Sequence, residues 1–122
     1  ESGDDVILTR IRKGATARDH IQAGQMARAA SLEINAYVMV GIGGQNRSET
    51  HARETARVIS AMQPAVVRLR TFVPKVNTPL LADVQADALG QHVPQRVRGR
   101  AAVHDRGVQV TFRYFNATSS AS

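Results

Sequence analysis

The chain has 122 residues, with 16 Lys plus Arg against 10 Asp plus Glu, a formal net charge of +6 and no cysteine. That length suits one domain, and 43% apolar with 21% charged residues is ordinary globular composition, which excludes a disordered tail, a collagen and a disulfide scaffold. The missing cysteines exclude a thiolate zinc site, iron–sulfur ligation, a redox pair and a cysteine nucleophile.

No apolar run approaches the roughly 20 residues needed to cross a bilayer. The opening Glu1-Ser2-Gly3-Asp4-Asp5 is acidic and polar, unlike a secretory leader. A cytoplasmic location without membrane contact is therefore expected. A pI near 11 invites a nucleic-acid reading. Against it, the cations are spread out, and the densest cluster (Arg96, Arg98, Arg100) has no interleaved aromatic for base stacking.

Residues 4–13 predict a short helix with acids at its start and cations at its end, which suits the helix dipole. Val6, Ile7, Leu8 and Ile11 would form its apolar side, and Gly14 would stop it. Thr16 caps a second helix, with Asp19 three residues on in a shortened capping box. Ile21, Met26, Ala27 and Ala30 give that helix a weak inner face. Residues 33–40 predict a strand whose apolar later half suits a buried parallel strand. Gly41-Ile42-Gly43-Gly44 breaks it. A helix over 49–62 follows, capped by Ser48, with Ala52, Ala56, Ile59 and Met62 inward and Glu49–Arg53 as a surface pair. Pro64 ends it, and residues 65–72 predict another strand. Pro74, Asn77 and Pro79 mark an irregular loop. A helical crossover between two strands implies a parallel pair. Residues 82–105 show no sustained period, 108–115 predict one strand, and 116–122 a frayed end.

The Gly41-x-Gly43-Gly44 loop stands where backbone donors could cradle an anion, but Asn46 replaces the third glycine of a dinucleotide fingerprint, so a plain βα turn is expected. His20, His51, His92 and His104 lack metal-binding spacing, and His51 is expected in solvent. Ser2, Ser48 and Ser60 lack a nucleophile-elbow context. Capping accounts for Asp4-Asp5 without a metal. Arg68 and Arg70 share one face of a strand, which on a buried strand would require a polar cavity or an acidic partner.

Four stretches carry a family resemblance: residues 1–8 with Arg12-Lys13-Gly14; Tyr37-Val38-Met39-Val40-Gly41-Ile42-Gly43-Gly44 with Glu49; Glu54-Thr55-Ala56-Arg57-Val58; and Arg68-Leu69-Arg70-Thr71 with Pro74-Lys75 and Thr78-Pro79-Leu80. In this order they resemble the middle and later part of a radical S-adenosylmethionine enzyme, of the coproporphyrinogen-oxidase-like and Elongator-catalytic-subunit-like subgroup. The resemblance covers about residues 1–81. It implies a partial (βα) barrel, with S-adenosylmethionine across the C-terminal strand ends and a [4Fe–4S] cluster that cleaves it to a 5′-deoxyadenosyl radical. By resemblance, Glu1 would close a strand and face the ribose or methionine end of the cofactor. Lys13, or alternatively Arg12, would meet its carboxylate. Tyr37 and Met39 would lie near the ribose and adenine, and Thr71 near the adenine.

The family's cluster motif is absent, as are its first three strands. Ser31 and Asn77 stand where glycine is usual, and residues 86–122 have no counterpart. The expectation is an α/β chain: an incomplete (βα) barrel fragment with parallel strands over 1–81, then an unassigned tail over 82–122. Alone it would be catalytically inactive, and exposed strand edges would favour self-association. The alternative is a non-catalytic basic α/β module that binds RNA.

Overall fold

A computed structural model describes residues 1–86, 96–104 and 107–115. The elements run α1 (Asp5–Arg10), α2 (Ala17–Ala29), β1 (Asn35–Val40), α3 (Ser48–Met62), β2 (Val66–Thr71), α4 (Pro79–Gln85), β3 (Arg96–His104) and β4 (Gly107–Phe115). The strands β1 and β2 pair in parallel from Asn35↔Val66 to Val40↔Thr71, with α3 as the crossover. The mixed α/β class and the parallel pair agree with the sequence. Among the described residues no helix is long and apolar enough to cross a membrane.

Asp4 caps α1 by accepting the Val6 N–H at 2.9 Å. Asp5, exposed on the first turn, reaches across to accept the Ala17 N–H at 2.7 Å, so it also anchors the start of α2. Both acids therefore bind backbone donors. The helix ends sooner than Gly14. Arg12 takes a left-handed backbone, φ 53°, and the Lys13 N–H bonds the Leu8 carbonyl while the Arg12 N–H bonds that of Thr9. This is the six-to-one, five-to-two pattern of a Schellman terminus. Ile7 and Leu8 are buried as expected, but Val6 is 42% exposed.

The capping box at Thr16 and Asp19 is complete: the Thr16 hydroxyl accepts the Asp19 N–H, and the Asp19 carboxylate accepts the Thr16 N–H at 2.7 Å. The inner face of α2 differs from the sequence reading. Met26 is 66% exposed and Ala30 is also in solvent, whereas Ala17 and Gly24 are buried. Gly24 decides this rotation. A Cβ there would lie 2.9 Å from Cγ of Met62, so the two helices approach most closely at a residue without a side chain. Helix α2 closes with a second Schellman pattern at Ser31, φ 60°.

Ser48 is the first residue of α3, and Arg47 holds the cap position without a side-chain cap bond. The buried face of α3 is His51, Ala52, Thr55, Val58 and Ile59, again rotated from the expected set, and Arg53 reaches Glu54 at 3.5 Å rather than Glu49. Helix α3 covers one face of the sheet, where Ala36, Val38 and Ile59 cluster with Val67 and Leu69. A second cluster forms beyond the strand ends from Ile7, Ile42 and Phe72, with Ile11, Met39, Leu80 and Val84 packed on it.

The strand β1 is not buried on both sides as its apolar run suggested. Burial alternates along it, with Tyr37 48% exposed. The irregular loop expected around Pro79 gives way there to helix α4. Thr78 accepts the Leu81 N–H and Pro79 follows at the first helical position, where its missing N–H costs nothing. Within 82–122 the described residues form two strands rather than one. The expected 108–115 strand is β4, and β3 pairs with it antiparallel from Arg96↔Phe115 to His104↔Gly107. Gly99 and Ala101-Ala102 blur the alternation of β3, so its sequence carries no clear strand period. The expected frayed end at 116–122 and His92 lie outside the described residues.

Ser31 and Asn77 both have positive φ, at 60° and 63°. Asn adopts this backbone at a lower cost than Ser. Ser31→Gly is expected to stabilise the fold by about 1 kcal/mol, read as a higher urea midpoint at unchanged slope.

Candidate functional site

The first four residues bend at Gly3 and are hydrogen-bonded to β1 and α3, which makes them the centre of the site. The Glu1 nitrogen donates to the Tyr37 carbonyl at 2.8 Å, and the Met39 N–H donates to the Glu1 carbonyl at 2.9 Å. One residue bonding both neighbours of its partner is the parallel ladder pattern, so Glu1 extends the sheet beside Val38. Gly3 then passes against α3, where a Cβ would meet the Glu54 carbonyl oxygen at 2.5 Å. Only glycine permits that approach.

Asp4 follows at 3% exposure, and its carboxylate takes three contacts from Arg47: Nε at 3.0 Å and Nη2 at 3.0 and 2.8 Å. The same carboxylate caps α1. One buried anion thus joins α1 to the loop that enters α3.

His51 is 1% exposed, not in solvent as its place near the helix start suggested. Its Nδ1 lies 2.8 Å from the Ser2 hydroxyl and 3.2 Å from that of Thr55. The Ser2 hydroxyl already accepts the Asp4 N–H, and Thr55 accepts the Gly3 N–H at 2.9 Å. Each hydroxyl keeps its own proton and one lone pair, so it can donate to Nδ1 or accept from it according to the ring's tautomer. Nε2 is buried, and the nearby Met39 carbonyl does not meet hydrogen-bond geometry with it. Burial pushes the His51 pKa down to about 4, against smaller opposing effects of the Met39 carbonyl and the Asp4 carboxylate. Ser2 and His51 have the spacing of a nucleophile and base, but both are buried and no group orients Nε2. The cluster fastens the N-terminal segment to α3. Its sequence signal was His51 and Thr55 four apart on one helix, and no pattern pointed to Ser2 as their partner.

The residues named by resemblance fall as follows. Glu1 and Lys13 form an ion pair at 3.0 Å, each about one-third exposed. Burial works against the Glu1 carboxylate, but the Lys13 hydrogen bond and neighbouring positive charges outweigh it and hold the group below its ordinary pKa. Tyr37 is bonded to Glu1 through its backbone, and its ring lies 5.9 Å from Cζ of Arg68 and 6.0 Å from Cζ of Arg70. Met39 is half-buried and packs on the apolar cluster beyond the strand ends. Thr71 is exposed at the end of β2, in register with Val40. Four of the five are thus joined by direct bonds around Glu1, with Thr71 across the strand pair. Arg68 and Arg70 are exposed, so the burial cost expected for them does not arise.

A cavity of about 310 Å³ opens beside Glu1, lined by Ala36, Val58, Ile59 and Met62 with Tyr37 and His20. His20 has its pKa lowered, mainly by burial and then by nearby positive charge. Among the described residues no group of three His, Asp or Glu is placed to hold a metal ion. In the loop after β1, a Cβ on Gly43 would lie 3.0 Å from Cδ1 of Ile7 and 3.2 Å from the Arg47 carbonyl oxygen, so this glycine serves packing.

Arg47→Ala leaves the Asp4 carboxylate buried without its cation and is expected to cost about 3 kcal/mol of stability in urea unfolding. The histidine sets a pH dependence. A depressed pKa means that the unfolded chain binds protons that the folded chain refuses, between about pH 6.5 and 4. Stability should therefore be full above that window and fall by about 3 kcal/mol as pH drops through it. His20 adds in the same direction, while Glu1 and Asp19, both held low, keep their contributions until more acid pH. Unfolding midpoints at stepped pH check this, and His51→Asn should flatten the profile. Compared with known proteins, the chain matches no family model and no curated protein.

Proposed function

We propose that this chain forms an S-adenosylmethionine-binding wall of a radical-enzyme-like α/β barrel. The observation that carries the reading is the Lys13–Glu1 ion pair beside Tyr37. The methionyl end of S-adenosylmethionine is a zwitterion. A partly exposed Lys–Glu pair can open and exchange partners with it, Lys13 taking the carboxylate and Glu1 the ammonium or a ribose hydroxyl. Tyr37 offers a partly exposed ring for the nucleoside, and Met39 a soft apolar neighbour. Thr71 adds a hydroxyl at the adjacent strand end. Parallel strands joined by a helical crossover are also what such a barrel repeats.

The residues do not fit the family's iron–sulfur cluster. The chain has no cysteine, and a [4Fe–4S] centre needs thiolates. No radical step is therefore assigned to this chain. Its proposed role is binding and orientation, with no electron source of its own.

Calorimetric titration tests the reading. S-adenosylmethionine is expected to bind saturably, and Lys13→Ala should weaken it about tenfold or more, as loss of a charge-assisted hydrogen bond would. 5′-Methylthioadenosine lacks the amino acid end and should be insensitive to that substitution. Absence of saturable binding to the intact chain would overturn the proposal.

A further inference from the structure

We infer that the exposed sheet face carrying Tyr37, Arg68 and Arg70 binds single-stranded nucleic acid. The inference does not rest on the S-adenosylmethionine reading. Three observations converge on this face. The Tyr37 ring is 48% exposed. Arg68 and Arg70 are exposed on the neighbouring strand, and their guanidinium carbons lie 5.9 and 6.0 Å from the ring centroid. Among the described ion pairs, Lys13, Arg47, Arg53 and Arg57 are neutralised by carboxylates, whereas Arg68 and Arg70 have the Tyr37 ring instead.

Each feature matches the ligand. The register that sets Tyr37 opposite Arg68 and Met39 opposite Arg70 fixes the two arginines on the tyrosine's side of the sheet. Two residues apart on an extended strand, their Cα atoms stand about 7 Å from each other, in a row that can follow a phosphate backbone. Cation–π contact holds both guanidiniums near the ring without removing their charge or their donors. A base can stack on the exposed ring while the neighbouring cations meet its phosphates, which is how sequence-tolerant single-strand binding works. A net charge of +6 adds long-range attraction. A single strand is favoured, because the bases of a duplex are stacked on one another and unavailable to Tyr37.

Fluorescence anisotropy of the full chain with a labelled oligouridylate of about 12 nucleotides, at roughly 50 mM salt, tests this. Binding is expected, with affinity falling as salt rises. Arg68→Ala with Arg70→Ala should weaken it about tenfold or more and lower the log–log salt slope by about 1.4, two phosphates at about 0.7 each. Tyr37→Ala should weaken it about fivefold or more with the slope unchanged, and Tyr37→Phe should restore it, since stacking needs the ring alone. All three positions are exposed, and an unchanged thermal melt confirms that each variant folds. Arg18→Ala with Arg28→Ala, on the exposed side of α2, should have little effect beyond a smaller loss of general attraction. No binding to the oligouridylate overturns the proposal. So does an equal loss in the α2 variant, or equal affinity for a duplex or a polyglutamate of the same charge.

Discussion

The buried Asp4 carboxylate is the contact on which the remaining geometry depends. It lies at the meeting point of the N-terminal strand stub, the first turn of α1 and the loop into α3. A carboxylate at 3% exposure is tolerable only if its oxygens are filled, and Arg47 and the Val6 N–H fill them. This demand fixes where Arg47 points. Arg47 also stands at the cap position of α3, where a guanidinium, being a donor only, cannot accept the helix's free N–H groups. With Asp4 fixed, Ser2 and Gly3 are held in the narrow space against His51 and Thr55, and Glu1 reaches the edge of β1.

The polar cluster around His51 makes the same point in neutral form. Two hydroxyls each serve a backbone N–H and the same ring nitrogen. Burial is what disfavours the charged ring. The histidine therefore acts as a neutral fastener. Its consequence for function is indirect: the segment it holds delivers Glu1 to Lys13 and Tyr37, where the candidate ligand chemistry lies.

The two faces of the small sheet have different characters, and that difference organises the functional readings. One face is apolar and covered by α3 through Ala36, Val38 and Ile59. The other carries Tyr37, Arg68 and Arg70 in solvent, with Met39 leading into the apolar cluster beyond the strand ends. Both proposals use this second face: the Glu1–Lys13 pair lies at its margin and the Tyr37 platform on it.

Local chemistry was legible in the sequence wherever a few neighbouring residues settle the outcome. Thr16 with Asp19 specified a capping box, Asp4-Asp5 specified backbone caps, and apolar runs separated by a periodic helix specified a parallel pair. Ser31 and Asn77, which stand where the resemblance has glycine, both take left-handed backbone. The sequence by itself therefore determined the order of the elements up to β2, and the absence of any cysteine-based chemistry. Tertiary structure alone decided which helix faces turn inward, because close approach at Gly24 and Gly3, rather than the apolar count, sets the rotation of α2 and α3. It also decided that His51 is buried and that Arg68 and Arg70 are exposed. Both depend on which surface a distant segment covers, a relation between residues some 50 positions apart that no local pattern encodes.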